Sequence, residues 1–174
     1  MPTFFTSDSH FGDHRTMNIG ARAFALVAEM DAALVAGWND VVGAEDEVWH
    51  LGDFARSPDR VPGLLARLHG RKHLVRGNND PPRTLAAGDW STVCDYRELQ
   101  LDGRLLVLCH YPFRSWNGQG RRSINLHGHS HGRLKPMPRQ FDVGVDVWNY
   151  QPVDLPTILA GPKASAASSH AAFG

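Results

Sequence analysis

Three short apolar runs, Thr3 to Ser7, Glu47 to Leu51 and His73 to Arg76, each end on a polar cluster, and this constrains the chain more than any other feature. Two stretches of helical spacing separate them. Val27, Met30, Leu34, Trp38 and Val41 share one face of a helix expected over Val27 to Val42. Val61, Leu64, Leu65 and Leu68 do the same over Pro58 to His69, with Pro58 near the first turn. A strand, helix, strand, helix, strand order predicts parallel strands joined by crossovers, with functional groups at the strands' carboxyl ends. Asp8, Asp53 and Asn78 fall there.

The second half changes character. Tyr96 to Leu101, Arg104 to Cys109, Ser123 to Leu126 and Phe141 to Val147 read as strands without long helices between them. Asp102-Gly103 is a hairpin turn between the first two. The expectation is a second sheet packed on the first, with helices outside. At 174 residues the chain predicts one domain over 1–160 and no separate cap, hence an open site. From Gly161 onward, Ala and Ser without an apolar period predict a terminal tail, 161–174, and no internal repeat is present.

The polar segments share a chemistry. Asp8-Ser9-His10, Gly52-Asp53, Gly77-Asn78-Asn79-Asp80, His110 and Gly128-His129-Ser130-His131 combine carboxylates, imidazoles and an amide at strand ends. Two divalent ions about 3.5–4 Å apart clamp a phosphoryl oxygen and activate a shared water. A bridging carboxylate suits such a pair, which makes Asp53 the bridging candidate. The mixed nitrogen and oxygen set suits Mn, Fe, Ni, Co or Zn better than Mg or Ca and does not choose among the five; two such ions, Mn taken first, are the expected cofactors. Turn capping alone does not call for so many imidazoles.

These five segments, in order from Asp8 to about Leu159, resemble the calcineurin-like metallophosphoesterase superfamily, especially its small cap-less bacterial members, which share Ser7 to Gly12 and Val143 to Trp148. The resemblance implies an α/β fold, a four-layer αββα sandwich of two mixed β-sheets flanked by helices. It implies one metal held by Asp8, His10, Asp53 and His131, and a second held by Asp53, Asn78, His110 and His129. It further implies hydrolysis of a phosphate ester by in-line attack of a metal-bridging hydroxide, with Asp53, Asn78 and His110 as catalytic groups.

The chain departs from the family at Asn79, where many members carry a leaving-group histidine. An amide is no general acid at neutral pH, so phosphodiesters with stabilised leaving groups are favoured over monoesters. His14, in the expected loop Phe11 to Asn18, is the candidate replacement. Asp80 is expected to cap the turn before Pro81-Pro82. Substrate candidates are Asn79, Arg121 and Arg122, then Arg15, Arg22, Arg56 and Arg114, with Trp116 as a stacking or packing group. His50 reads as a support for a ligand or a core residue and His127 as a support; His69, His73 and His170 read as structural or exposed.

Eighteen Lys and Arg balance eighteen Asp and Glu, so the net charge predicts no nonspecific binding to long nucleic acid. The expected partner is a small phosphate ester, such as a nucleotide. No membrane span or leader is recognisable, and two cysteines without CxxC spacing fit a cytoplasmic setting. Two other readings compete. One is a non-catalytic metal-binding interaction protein on the same fold. The other is a β-lactamase-like metallohydrolase, disfavoured because Gly132-Arg133 follows His131 where HxHxDH is required.

Overall fold

The computed structural model describes residues 1–19 and 22–162. Apart from Gly161 and Pro162, the expected tail, with His170, lies outside the described residues. In chain order the elements are β1 (Thr3–Thr6), α1 (His14–Ile19), α2 (Val27–Val41), β2 (Glu47–His50), α3 (Val61–Arg67), β3 (Arg71–Val75), α4 (Pro82–Leu85) and β4 (Thr92–Cys94). Then come β5 (Arg97–Leu101), β6 (Arg104–Leu108), β7 (Ile124–His127), β8 (Gln140–Asp142), β9 (Val153–Asp154) and α5 (Leu155–Ala160).

One sheet runs β4-β3-β2-β1-β9 and the other β5-β6-β7-β8. The first is parallel from β1 to β4 with β9 antiparallel at its edge. The second combines the antiparallel β5/β6 pair with parallel β6, β7 and β8. Both sheets are therefore mixed, as expected, and helices flank them. Beyond the strand ends the two sheets meet, because Ser7 pairs with Gly144 and accepts a hydrogen bond from the Val145 N–H at 3.0 Å.

Two hydrophobic layers hold this arrangement. Met30, Leu34 and Trp38 of α2 and Val61, Leu64 and Leu65 of α3 pack with Val48, Phe11 and Phe54 on one side of the first sheet. Phe5, Trp49, Leu51 and Val75 meet Leu106, Leu108, Ile124 and Leu126 between the sheets, closed by Trp148, Leu155 and Ile158. Glu29 secures the start of α2 by accepting the Ala25 and Leu26 N–H groups.

Three expectations need correction. The helix over Pro58 to His69 is a 3₁₀ turn, Pro58–Arg60, followed by α3. Pro62 has no N–H, so a continuous helix would lack its bond to residue 58. The strand over Phe141 to Val147 stops at Asp142, whose Oδ1 accepts the Gly144 N–H at 2.7 Å and turns the chain. The loop Phe11 to Asn18 contains helix α1 instead, its start braced by Asp13, which accepts from the Arg15 N–H and the Thr16 hydroxyl.

Leu34 is 2% exposed and belongs to the hydrophobic layer between α2, α3 and the first sheet, not to the polar clusters. Leu34→Ala is expected to lower urea-unfolding stability by about 2–5 kcal/mol, while Mn²⁺ affinity measured by calorimetry stays unchanged.

Candidate metal centre

The segments that follow β1 and β2 continue side by side past the strands. The Asp8, His10 and Phe11 N–H groups donate to the carbonyls of Gly52, Asp53 and Phe54 at 2.9, 3.0 and 2.9 Å. This ladder holds an uncommon backbone. Asp8, His10, Asp53, His129 and His131 all have left-handed φ, at 58°, 50°, 59°, 66° and 49°. Each such residue costs about 1–2 kcal/mol, and strain of this kind persists where the surroundings over-determine it, chiefly at functional sites. The tight approach also explains a glycine pair: a Cβ on Gly52 would stand 2.6 Å from the backbone of Gly77 and from His110 Nδ1.

The polar groups converge as two overlapping sets. Asp8, His10 and His131 each offer a ligand atom within 4.8 Å of the others, and so do Asp8, Asp53 and His110. Asn78 Oδ1 lies 2.9 Å from both His110 Nε2 and His129 Nδ1, which brings the remaining two candidates to the second set. All seven expected ligands therefore gather in one place. Asp8 reaches both sets, beside Asp53, which lies 3.4 Å from His10 Nε2 and 3.6 Å from His110 Nε2.

Burial makes this cluster electrostatically unsatisfied. Loss of water pushes the Asp8 carboxyl up to about 8, and it holds His10 down to about 4, so that imidazole is neutral. The buried His10 Nε2 has no hydrogen-bond partner. His110 Nδ1 donates to Leu51 O at 2.7 Å, which leaves its Nε2 lone pair facing Asn78 Oδ1 and Asp53 Oδ1. His131 Nδ1 likewise donates to Asp146 at 2.7 Å and turns its Nε2 toward Asp8, 3.8 Å away. Ligand atoms thus converge on one small volume where burial favours a protonated Asp8 and the Asp146 bond raises His131, so protons occupy positions that cations can take. Divalent cations satisfy such a set, and the donors fit a nitrogen- and oxygen-binding ion.

Three carboxylates that touch none of the converging lone pairs hold this geometry. Asp80 does not simply cap the following turn, as expected; it accepts the Asp53, Phe54 and Gly77 N–H groups at 2.8, 2.9 and 2.9 Å and so binds two loops together. Asp146 joins His131 to Arg22. Burial opposes its charge, but the bonds from His131 and Arg22 hold the carboxyl down to about 2. Asp142 accepts from the Ser130 hydroxyl and the Gly132 N–H at 2.6 and 2.8 Å, shaping the turn between His129 and His131. Sequence reasoning missed Asp142 and Asp146 as supports; their only signal was acidity within and beside Val143 to Trp148.

The remaining candidates separate clearly. Asn79 gives both its N–H and its side-chain amide to Asp53, each at 2.7 Å, and so orients that carboxylate. Arg22 is not a substrate arginine: it is buried, ion-paired to Asp146 and bonded to the Asp8 and Ser9 carbonyls. His14 is exposed on α1 with its ring bonded to Asn18. Arg15, Arg56, Arg114, Arg121 and Arg122 are exposed. Trp116 is buried and donates to Ser123 O, a packing role. His50 bonds the Ser9 hydroxyl at 2.8 Å, beneath the first ligand segment, and His127 bonds the Gly128 carbonyl. His73 stacks on Trp49, and exposed His69 bonds Val42 O. A cleft of about 440 Å³ opens beside Asn78, lined also by Arg76, Asp95, Cys109 and Tyr111.

The calcineurin-like phosphoesterase superfamily domain matches residues 1–140. An uncharacterized protein of Methanocaldococcus jannaschii is 30% identical over 166 residues, which span 90% of this chain and 88% of that protein. Gene 66 proteins of two Mycobacterium phages are 30% and 32% identical; each match spans 84% of this chain, and 87% and 88% of theirs. Among solved structures, an Aquifex aeolicus protein of unknown function shares the fold with a TM-score of 0.69 and 21% identity, over 87% of this chain and 94% of that one.

Asp146→Asn keeps the shape of the side chain but weakens both the Arg22 pair and the His131 bond. It is expected to reduce Mn²⁺ affinity about 10–100-fold, read by calorimetry, with little change in the circular dichroism spectrum.

Proposed function

The chain belongs to the calcineurin-like phosphoesterase superfamily, and we propose that it is a metal-dependent phosphoric ester hydrolase with a dinuclear centre and a preference for phosphodiesters. The observation that carries this reading is the convergence of oxygen and nitrogen ligand atoms from Asp8, His10, Asp53, Asn78, His110 and His131, with His129 alongside. Two divalent ions, with manganese the first choice, would supply charge against the phosphoryl oxygens and an activated water in line with the leaving group.

The protein's own groups contribute position. Asp53 is fixed through Asn79 and Asp80, His110 through Leu51, and His131 through Asp146 and Arg22. Such supports keep each ligand in one tautomer and one orientation. None of the clustered side chains is suited to protonate a leaving group. Asn79 is an amide engaged with Asp53, and His14 bonds Asn18 on an exposed helix. Chemistry of this kind favours esters whose leaving group departs unassisted, and of the two ester classes it favours diesters with stabilised leaving groups. A small phosphate ester, such as a nucleotide, is the substrate class proposed. Both cysteines are free thiols and no described helix is long and apolar enough to cross a membrane; a cytoplasmic setting is part of the same proposal.

The test is steady-state turnover of bis(4-nitrophenyl) phosphate against 4-nitrophenyl phosphate in Mn²⁺. The diester is expected to be the better substrate, with activity reduced to background by Asp53→Asn and by chelation. A clear preference for the monoester overturns the diester assignment; absence of turnover with every divalent metal supports the non-catalytic binding protein. Chelation is also expected to lower the melting temperature, because bound ions stabilise the folded state by mass action.

A further inference from the structure

The cleft beside Asn78 is built from the ends of both sheets. β3 and β4 run parallel, so Arg76 and Asp95 both follow strand carboxyl ends, and the Arg76 N–H donates to Cys94 O at 2.8 Å. From the second sheet Cys109 and Tyr111 follow β6, whose end meets the first sheet where His110 Nδ1 donates to Leu51 O. Of the seven candidate ligands only Asn78 lines the cleft. The rest of its wall is therefore available to the organic part of an ester whose phosphate is held at the centre.

Tyr111 supplies an aromatic wall whose orientation is set. Its ring stands edge-to-face against His110 and His129, with centroids 5.1 and 4.8 Å away and interplanar angles of 73° and 64°. Both imidazoles are candidate ligands, so the groups that would hold a metal also hold this ring. The residue is nevertheless 46% exposed. A ring already ordered by its neighbours and open to solvent offers a stacking face with little ordering left to do on binding.

The polar wall selects among planar partners. Arg76 Nε lies 2.9 Å from Asp95 Oδ1, with the two side chains 50% and 71% exposed. Such a surface pair is weak and brings no net charge to the rim. Asp80 is buried, and its carboxylate is engaged by three N–H groups. A rim without net positive charge does not recruit a second phosphate. A guanidinium beside a carboxylate instead supplies a donor and an acceptor to a neutral group that carries both. A nucleobase is planar, neutral and edged with donors and acceptors; a plain aryl ring lacks the edge and a sugar lacks the plane. The volume of about 440 Å³ also lies within the range for one small-molecule ligand, about 300–1,000 Å³.

Building on the phosphoesterase reading, we propose that this cleft is a nucleoside subsite and that the substrate is an ester of a nucleoside monophosphate. Its phosphate lies at the metal centre, its base stacks on Tyr111, and the polar edge of the base meets Arg76 and Asp95. Tyr111 is the residue that sets specificity, through the base and not through the phosphate.

The test is calorimetry of the Mn²⁺-loaded protein with adenosine 5′-monophosphate and with ribose 5-phosphate, which keeps the sugar and phosphate and lacks the base. The nucleotide is expected to bind about 5–150-fold more tightly, the range for one stacked base. Tyr111→Leu should bring that ratio close to one, and Tyr111→Phe, which keeps the ring, should preserve it. The ratio is the readout because a disturbance of His110 or His129 weakens both ligands through their common phosphate. Adenosine 3′,5′-bisphosphate should bind no more tightly than the 5′-monophosphate. A wild-type ratio near one, no binding of the nucleotide, a ratio unchanged in Tyr111→Leu, or clearly tighter binding of the bisphosphate overturns the inference. The parallel assay with bis(4-nitrophenyl) phosphate keeps the two readings apart. Turnover of that ester without discrimination for the base removes only the nucleoside subsite; discrimination without turnover of any diester upholds the subsite and removes the esterase.

Discussion

The structure is organised around two carboxylates, Asp8 and Asp53, that are 0% and 2% exposed and face the same small volume. Isolated buried carboxylates carry a desolvation penalty of several kcal/mol each, so their surroundings must compensate. Part of that compensation is built from N–H donors: the His129 backbone on Asp8, and the Asn79 backbone and side chain on Asp53. The rest of the shell is imidazole lone pairs, which cannot neutralise a carboxylate unless a cation lies between them. The site is thus a protein framework whose charge is completed from outside the chain.

Precision in such a framework has to come from the elements beneath it. Five of the seven candidate ligands stand on left-handed backbone, which a single loop does not sustain. It is sustained here because the segments after β1 and β2 pair beyond the strand ends, Asp80 ties the second of these to the Gly77 turn, and Asp142 shapes the third. Both sheets contribute ligands and touch where Ser7 meets Gly144, so the interior between the sheets and the metal centre are mechanically continuous.

The candidate ligands were legible in the sequence because they sit in short motifs at the ends of apolar runs, where period and polarity change together. The parallel first sheet was legible for the same reason. What lay beyond reach was pairing across long sequence separations. Arg22 looked like any surface cation, since nothing near residue 22 announces a carboxylate at 146; only the fold brings them to 2.8 Å. Asp80 reads locally as a turn cap because the N–H groups that donate to it, those of Asp53 and Phe54, are a helix and a strand away. The strand over Phe141 to Val147 failed where apolar alternation continued but Asp142 bonded its own backbone two residues on, and side chain to backbone competition of that kind has no periodic signature.

Net charge is a sum, and the same zero arises from intermixed ion pairs or from opposed regions. In this fold most carboxylates lie on the first sheet, its helices and the candidate metal centre, while the β6-to-β7 and β7-to-β8 loops carry cations and no carboxylate. The β1-to-β2 and β2-to-β3 crossovers are helical, whereas the equally parallel β6-to-β7 connection has only a 3₁₀ turn, Gln119–Arg121, and runs otherwise as loop. That connection carries the chain from His110 back to the start of β7, so Arg121 and Arg122 stand at the end of the second sheet away from His110, and the charge of the chain as a whole is unchanged. The candidate site draws on both halves of this division: the ends of the first sheet's strands carry Asp8, His10, Asp53 and Asn78, the ends of the second sheet's carry His110, His129 and His131, and the negative charge of the cluster comes from the first sheet alone.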